Sequence, residues 1–260
     1  MRRSLRLALS VGLVLGVAGL APADVWDVQT DNDNTTATEN ELVQGSDQLH
    51  DLGALPGPAP DQDWFRLSQN SYSSYEVVAD ATSGDIGATL NLDRIGSDGT
   101  SVVQSSAAIG VGYSRSLRWA NTTGAPVNDQ YVRVTSGSCT TNCGPDDVYR
   151  VRFTETTYAV PRFNNAGSQI TVLLLQNPAG YTINGNVYLW DATGTLIAPS
   201  PFTLAARALM VLNTGTVAPG VGGTLTIAHD GRYGDLAGKT VALEPATGFS
   251  FDSPMVPRLH

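Results

Sequence analysis

Four aspartates stand in two Asp-x-Asp pairs, Asp31 with Asp33 and Asp61 with Asp63. They supply hard oxygen ligands of the kind calcium takes in sets of about six to eight. All four fall within residues 24–63, a stretch of ten carboxylates with no Lys or Arg. A bound calcium ion would relieve the self-repulsion of such a segment. The plain alternative is a solvated acidic leader with ordinary turn aspartates.

A second constellation rests on strand phase. With Phe65, Leu67, Val132, Val134, Tyr149, Val151 and Phe153 facing inward, Arg66, Arg133, Arg150 and Arg152 face outward, and Trp64 shares their phase. An arginine-rich face with an aromatic would grip a carboxylate-bearing or sulfated ligand. Pairing across strands with Glu76 and Asp80, also outward by phase, is the alternative. Trp26, Trp119 and Trp190 suit sugar stacking if exposed, but Trp119 and Trp190 lie in strand patterns, where a buried ring is expected.

Acid–base chemistry has little to stand on. The sequence contains neither His-Glu-x-x-His nor Gly-x-Ser-x-Gly, and its histidines are His50, His229 and His260. His229 and Asp235 sit in a dense polar run, His229-Asp230-Gly231-Arg232-Tyr233-Gly234-Asp235, which also reads as a glycine-rich loop. No catalytic residue is assigned. Cys139 and Cys143 are separated by three residues, which excludes a redox Cys-x-x-Cys. In an exported chain they are expected to form a small disulfide ring pinning one hairpin loop.

The elements that must hold these residues read as short strands. Tyr75, Val77 and Ala79 alternate with Glu76, Val78 and Asp80. Gly96-Ser97-Asp98-Gly99 and Ala192-Thr193-Gly194 are hairpin turns between strand candidates. Gln169 to Asn177 is nearly continuously apolar and reads as a strand buried on both faces. Alternation ends near Thr154–Thr157 and a second series starts at Tyr158. The expected fold is all-β: an antiparallel sandwich of jelly-roll type over 64–156 with the leader 24–63 packed on it, and an immunoglobulin-like sandwich over 157–260.

Residues 1–23 read as a secretory signal peptide. Arg2, Arg3 and Arg6 precede an apolar run from Leu7 to Leu20, and Ala21-Pro22-Ala23 forms the cleavage site. No later run is long and apolar enough to span a membrane. Removing the three arginines of this segment leaves 12 cations against 24 carboxylates. Such a chain repels the phosphate backbone, so no nucleic-acid partner is expected.

Residues 31–153 resemble the bacterial pre-peptidase C-terminal domain, a sandwich module appended to many secreted peptidases. The resemblance is carried by Asp31-Asn32-Asp33-Asn34-Thr35, Asp61-Gln62-Asp63-Trp64-Phe65-Arg66-Leu67, Leu90-Asn91-Leu92 with Asp98-Gly99-Thr100, and Tyr131-Val132-Arg133-Val134 with Val148-Tyr149-Arg150-Val151. It implies an accessory role without catalysis. It also implies calcium bound by leader acids in some members, although Val28 and Thr30 stand where that pattern has carboxylates. The expectation is a secreted, periplasmic or cell-surface binding protein whose partner is an extracellular protein, matrix or polysaccharide. The alternative is a secreted hydrolase with a non-standard site around His229 and Asp235.

Overall fold

The computed structural model describes residues 33–53, 61–108, 114–137, 143–144 and 146–258. Residues 1–23 with the proposed signal, Trp26, Asp31, Cys139 and His260 lie outside the described residues. The described chain is built from antiparallel sheets, and among its residues no helix is long and apolar enough to cross a membrane.

The first half contributes β1 (Asp47–Asp51), β2 (Asp63–Gln69), β3 (Ser73–Ala81), β4 (Leu90–Ile95), β5 (Val102–Ser105), β6 (Ala107–Ala108), β7 (Ser114–Asn121), β8 (Val127–Ser136) and β9 (Val148–Glu155). They form two sheets, ordered β1-β9-β3-β7-β6 and β2-β8-β4-β5. Period-2 alternation puts Phe65, Leu67, Val132, Val134, Tyr149, Val151 and Phe153 into the shared core.

The second half contributes β10 (Tyr158–Asn164), β11 (Ile170–Gln176), β12 (Ile183–Asp191), β13 (Leu196–Leu204), β14 (Leu209–Asn213), β15 (Gly222–His229), β16 (Ala237–Glu244), β17 (Phe249–Pro254) and β18 (Val256–Pro257). Its sheets run β13-β12-β15-β10-β18 and β14-β11-β16-β17 around a separate core. Only one face of β11 is covered: Thr171, Leu173 and Leu175 are buried, whereas Ile170 is 39% exposed and Val172 and Leu174 are half-buried. The expectation of burial on both faces is corrected: among the described residues no third layer lies over that sheet.

Turn chemistry follows the sequence. The Asp98 carboxylate accepts the backbone N–H of Thr100 and Ser101 at 3.0 and 2.8 Å, and Asp191 accepts those of Thr193 and Thr195 at 2.8 and 2.9 Å. Two turns carry strain instead, at Tyr72 (φ 52°) and at Arg207. Between β13 and β14 the Ala208 N–H closes on the Ala205 carbonyl at 3.1 Å, with Arg207 at φ 60°. A side chain in that left-handed region costs about 1 kcal/mol, which glycine avoids. Arg207→Gly is therefore expected to leave stability unchanged or raise it by up to about 1 kcal/mol. A clear drop in the urea midpoint would show that the guanidinium does more than occupy the turn.

Candidate metal centre

The acidic leader is built into the first sandwich. The Trp64 N–H donates to the Asp33 carbonyl at 2.7 Å, the Arg66 N–H to that of Asn40 at 2.9 Å, and the Leu42 N–H to that of Arg66 at 2.9 Å. Residues 33–42 thus line the open edge of β2. The chain then crosses to the other sheet, where β1 pairs with β9 and places His50 opposite Tyr149. Leu42 and Leu52 anchor the crossing in the core, while Val43 and Leu49 stay exposed.

This crossing brings together side chains from three segments. Asp33 comes from the leader, His50 from β1 in one sheet, and Asp63 from the first position of β2 in the other. Each offers a ligand atom within 4.8 Å of the others, and all three residues are essentially inaccessible to solvent. The ring of His50 packs edge-on against Phe65 (centroids 4.9 Å apart) and stacks on Tyr149 at 5.7 Å. Its Nε2 lies 3.0 Å from Gln48 Oε1, an atom that can only accept. The Asn40 amide nitrogen lies 3.5 Å from the same Nε2. The Tyr149 hydroxyl donates to Asp63 Oδ2.

Of the four aspartates expected to hold calcium, Asp33 and Asp63 meet here. Asp61 is buried but is not one of the three, and its Oδ1 accepts the Gln62 N–H at 3.0 Å. His50 was invisible as a ligand because strand pairing, rather than sequence distance, delivers it. The donor set suits calcium poorly. Calcium favours about six to eight oxygens, whereas the three described donors are buried and one of them is an imidazole.

The arginine face divides in two. Arg66 and Arg133 lie on β2 and β8 of one sheet, Arg150 and Arg152 on β9 of the other. Phase along a strand sets inward or outward but not which side of the sandwich is outward. Arg66 pairs with Glu41 at 3.8 Å, Arg133 with Asp93 at 2.9 Å and Arg150 with Asp47 at 3.3 Å, and Arg152 pairs with Asp80. Trp64 is buried, with the Arg133 guanidinium 5.6 Å above its ring. Trp119 is a core ring whose indole N–H donates to Gln69 Oε1 at 3.0 Å.

Glu76, expected among those ion pairs, is buried between the two sandwiches. It accepts the Ser116 hydroxyl at 2.8 Å and the Tyr233 N–H at 3.0 Å. His229 belongs to the same joint. Its Nε2–H donates to the Thr156 carbonyl at 3.0 Å and its Nδ1 accepts the Gly231 N–H at 3.0 Å. Both ring nitrogens are thus held by backbone, and burial lowers the ring's pKa to about 4. Asp235 accepts the Tyr181 hydroxyl. Around them Arg118 donates to the Tyr181 hydroxyl at 2.9 Å, and the Tyr72 ring packs on Tyr188 and Trp190 at 4.7 and 5.3 Å. The polar run that sequence singled out is a mortise between domains.

A recess of about 180 Å³ opens where the leader meets β2, β3 and β9. Tyr75 and Phe153, stacked at 5.6 Å, form its floor, and Glu41, Gln44, Ser68 and Asn70 stand on its walls. Cys143 is half-buried against the first core, and no free thiol occurs among the described residues.

Fold and site together define an all-β protein of two antiparallel sandwiches with a buried carboxylate–imidazole cluster. No family model and no curated protein matches the chain. Among solved structures, a Bacteroides uniformis β-glucuronidase is 11% identical, with a TM-score of 0.21 over 82% of this chain and 32% of that one. The β-glucuronidase 2 of that organism, covalently bound to cyclophellitol-6-carboxylate aziridine, is 12% identical, with a TM-score of 0.20 and the same coverage. The chain thus spans about a third of those proteins, and similarity at this level carries no argument about activity.

Proposed function

We propose that this chain is a non-catalytic, secreted accessory or binding protein that recognises an extracellular polysaccharide or matrix ligand. The first sandwich acts as a module of the pre-peptidase C-terminal kind, exported by residues 1–23 and with its Cys139–Cys143 loop closed by a disulfide. The observation that carries this reading is the recess above Tyr75 and Phe153. An apolar aromatic floor with amide, hydroxyl and carboxylate groups on the walls suits one sugar unit or one polar side chain of a larger ligand. Its volume is small for a free metabolite, so most of the partner lies outside on the surface. The engagement of His229 and Asp235 in the joint favours this reading over the hydrolase alternative.

The test is an array of glycans and matrix proteins probed with residues 24–260. Ser68 lies on the recess wall and is exposed, so Ser68→Trp fills the opening without entering the core. It is expected to weaken the best array hit by at least about tenfold, or roughly 1.4 kcal/mol. Undiminished binding by this variant, or an array without hits, ends the recess reading. Turnover of a peptide, ester or glycoside that disappears in His229→Gln would restore the hydrolase.

A further inference from the structure

We propose that Asp33, His50 and Asp63 form a site for a first-row divalent metal ion, zinc being the best match, which clamps the leader across both sheets of the first sandwich. The inference is independent of the ligand recess. Three buried donors from three separate segments converge within 4.8 Å of one another. Tetrahedral donors at about 2.0–2.1 Å from zinc stand about 3.4 Å apart. The site therefore needs to contract by at most about 1.4 Å, which rotation of the aspartate side chains can supply.

Donor chemistry decides the ion. Neutral imidazole with carboxylates is a set that zinc and its first-row neighbours accept and calcium does not favour. Two carboxylate ligands match the charge of one divalent cation. A supporting layer is already in place. Gln48 Oε1, 3.0 Å from His50 Nε2, holds the ring in place. The Tyr149 hydroxyl holds Asp63 Oδ2 while its ring stacks on His50. The three side chains leave one position of a tetrahedral ion to a further donor. All three donors are buried and come from separate segments, so the ion's role is structural.

The competing arrangement is a protonated imidazolium lying between the two aspartates, with no metal. Metal-stripped, untagged chain is dialysed against zinc alone, calcium alone, or zinc with a hundredfold excess of calcium, and bound metal is measured by elemental analysis. Expected is one zinc per chain, retained against calcium, together with a higher thermal unfolding midpoint. Cobalt(II) in place of zinc should give the visible absorption of a low-coordinate nitrogen–oxygen site. His50→Gln should weaken zinc by more than about a hundredfold, beyond the ten- to hundredfold cost of losing a supporting partner. Tyr149→Phe keeps the ring on His50 and should weaken zinc by about tenfold. No retained zinc, loss of zinc to the hundredfold excess of calcium, or unchanged zinc affinity in His50→Gln overturns the proposal. If that variant fails to fold, the unmodified chain and Tyr149→Phe still decide the matter.

Discussion

Glu155→Ala is expected to destabilise the chain by about 3 kcal/mol. Glu155 ends β9 at the joint and is almost wholly buried. Its Oε1 accepts the Arg258 Nε–H at 2.8 Å, with Arg258 Nη2 at 2.6 Å, and Asn70 donates to its other oxygen at 3.4 Å. Arg258 in turn donates its backbone N–H to the Thr157 carbonyl at 2.9 Å and a guanidinium N–H to Ser73. This arginine follows β18, which pairs with β10, so the ion pair ties the last strand of the second sandwich to the first. Removing a buried carboxylate leaves a largely desolvated guanidinium behind, at a typical cost of about 3–5 kcal/mol. The lower end applies because the Arg258 side chain keeps 24% of its exposure. Urea unfolding of Glu155→Ala, Arg258→Ala and the double variant measures the pair directly. A coupling energy below about 0.5 kcal/mol would make the contact a bystander.

Acidification from pH 6.5 to pH 4 is expected to remove about 3 kcal/mol of stability through His229 alone. Burial is the dominant cause of its low pKa of about 4, against a reference of 6.5. The hydrogen bond to Thr156 and the charges of Asp230 and Asp235 pull the other way, and Arg118 adds to the lowering. Because the folded ring binds its proton less readily than the unfolded one, the unfolded chain takes up more protons between these two values. Stability therefore falls as the pH drops through this window. The contribution is absent above about pH 6.5 and levels off below about pH 4. His229→Gln keeps a donor for Thr156 but cannot titrate, so its stability should be flatter over the same range. Parallel slopes for the two proteins from pH 7 to pH 4 would remove His229 from the account. The effect should appear first as loosening between the sandwiches, because the ring sits among Thr156, Tyr158 and the loop of Gly231.

Much of the architecture was legible because strand phase and turn chemistry are local. The inward set from Phe65 to Phe153 follows from alternation, and the turns at Asp98 and Asp191 from the geometry of an aspartate accepting N–H groups a few residues on. In sequence the first core ends at Phe153 and the second begins at Tyr158. Other elements were harder to read. Leu196–Leu204 is one strand although Pro199 and Pro201 interrupt its pattern, which an edge position tolerates. β1 lay concealed in the acidic leader because only one of its faces meets the core.

By itself the sequence determined an all-β chain with outward arginines, turn aspartates and a carboxylate-rich leader, since each of these depends on neighbours within a few residues. Tertiary structure decided which of those groups meet. It sent two arginines to each side of a sandwich, turned Glu76 and His229 into parts of a joint, and brought His50 to Asp33 and Asp63. The physical reason is that strand pairing joins segments far apart in the chain, and the order of strands in a sheet is set by which apolar faces can be covered together. Alternation tells a side chain to face in or out; the packing of whole sheets determines what it then touches.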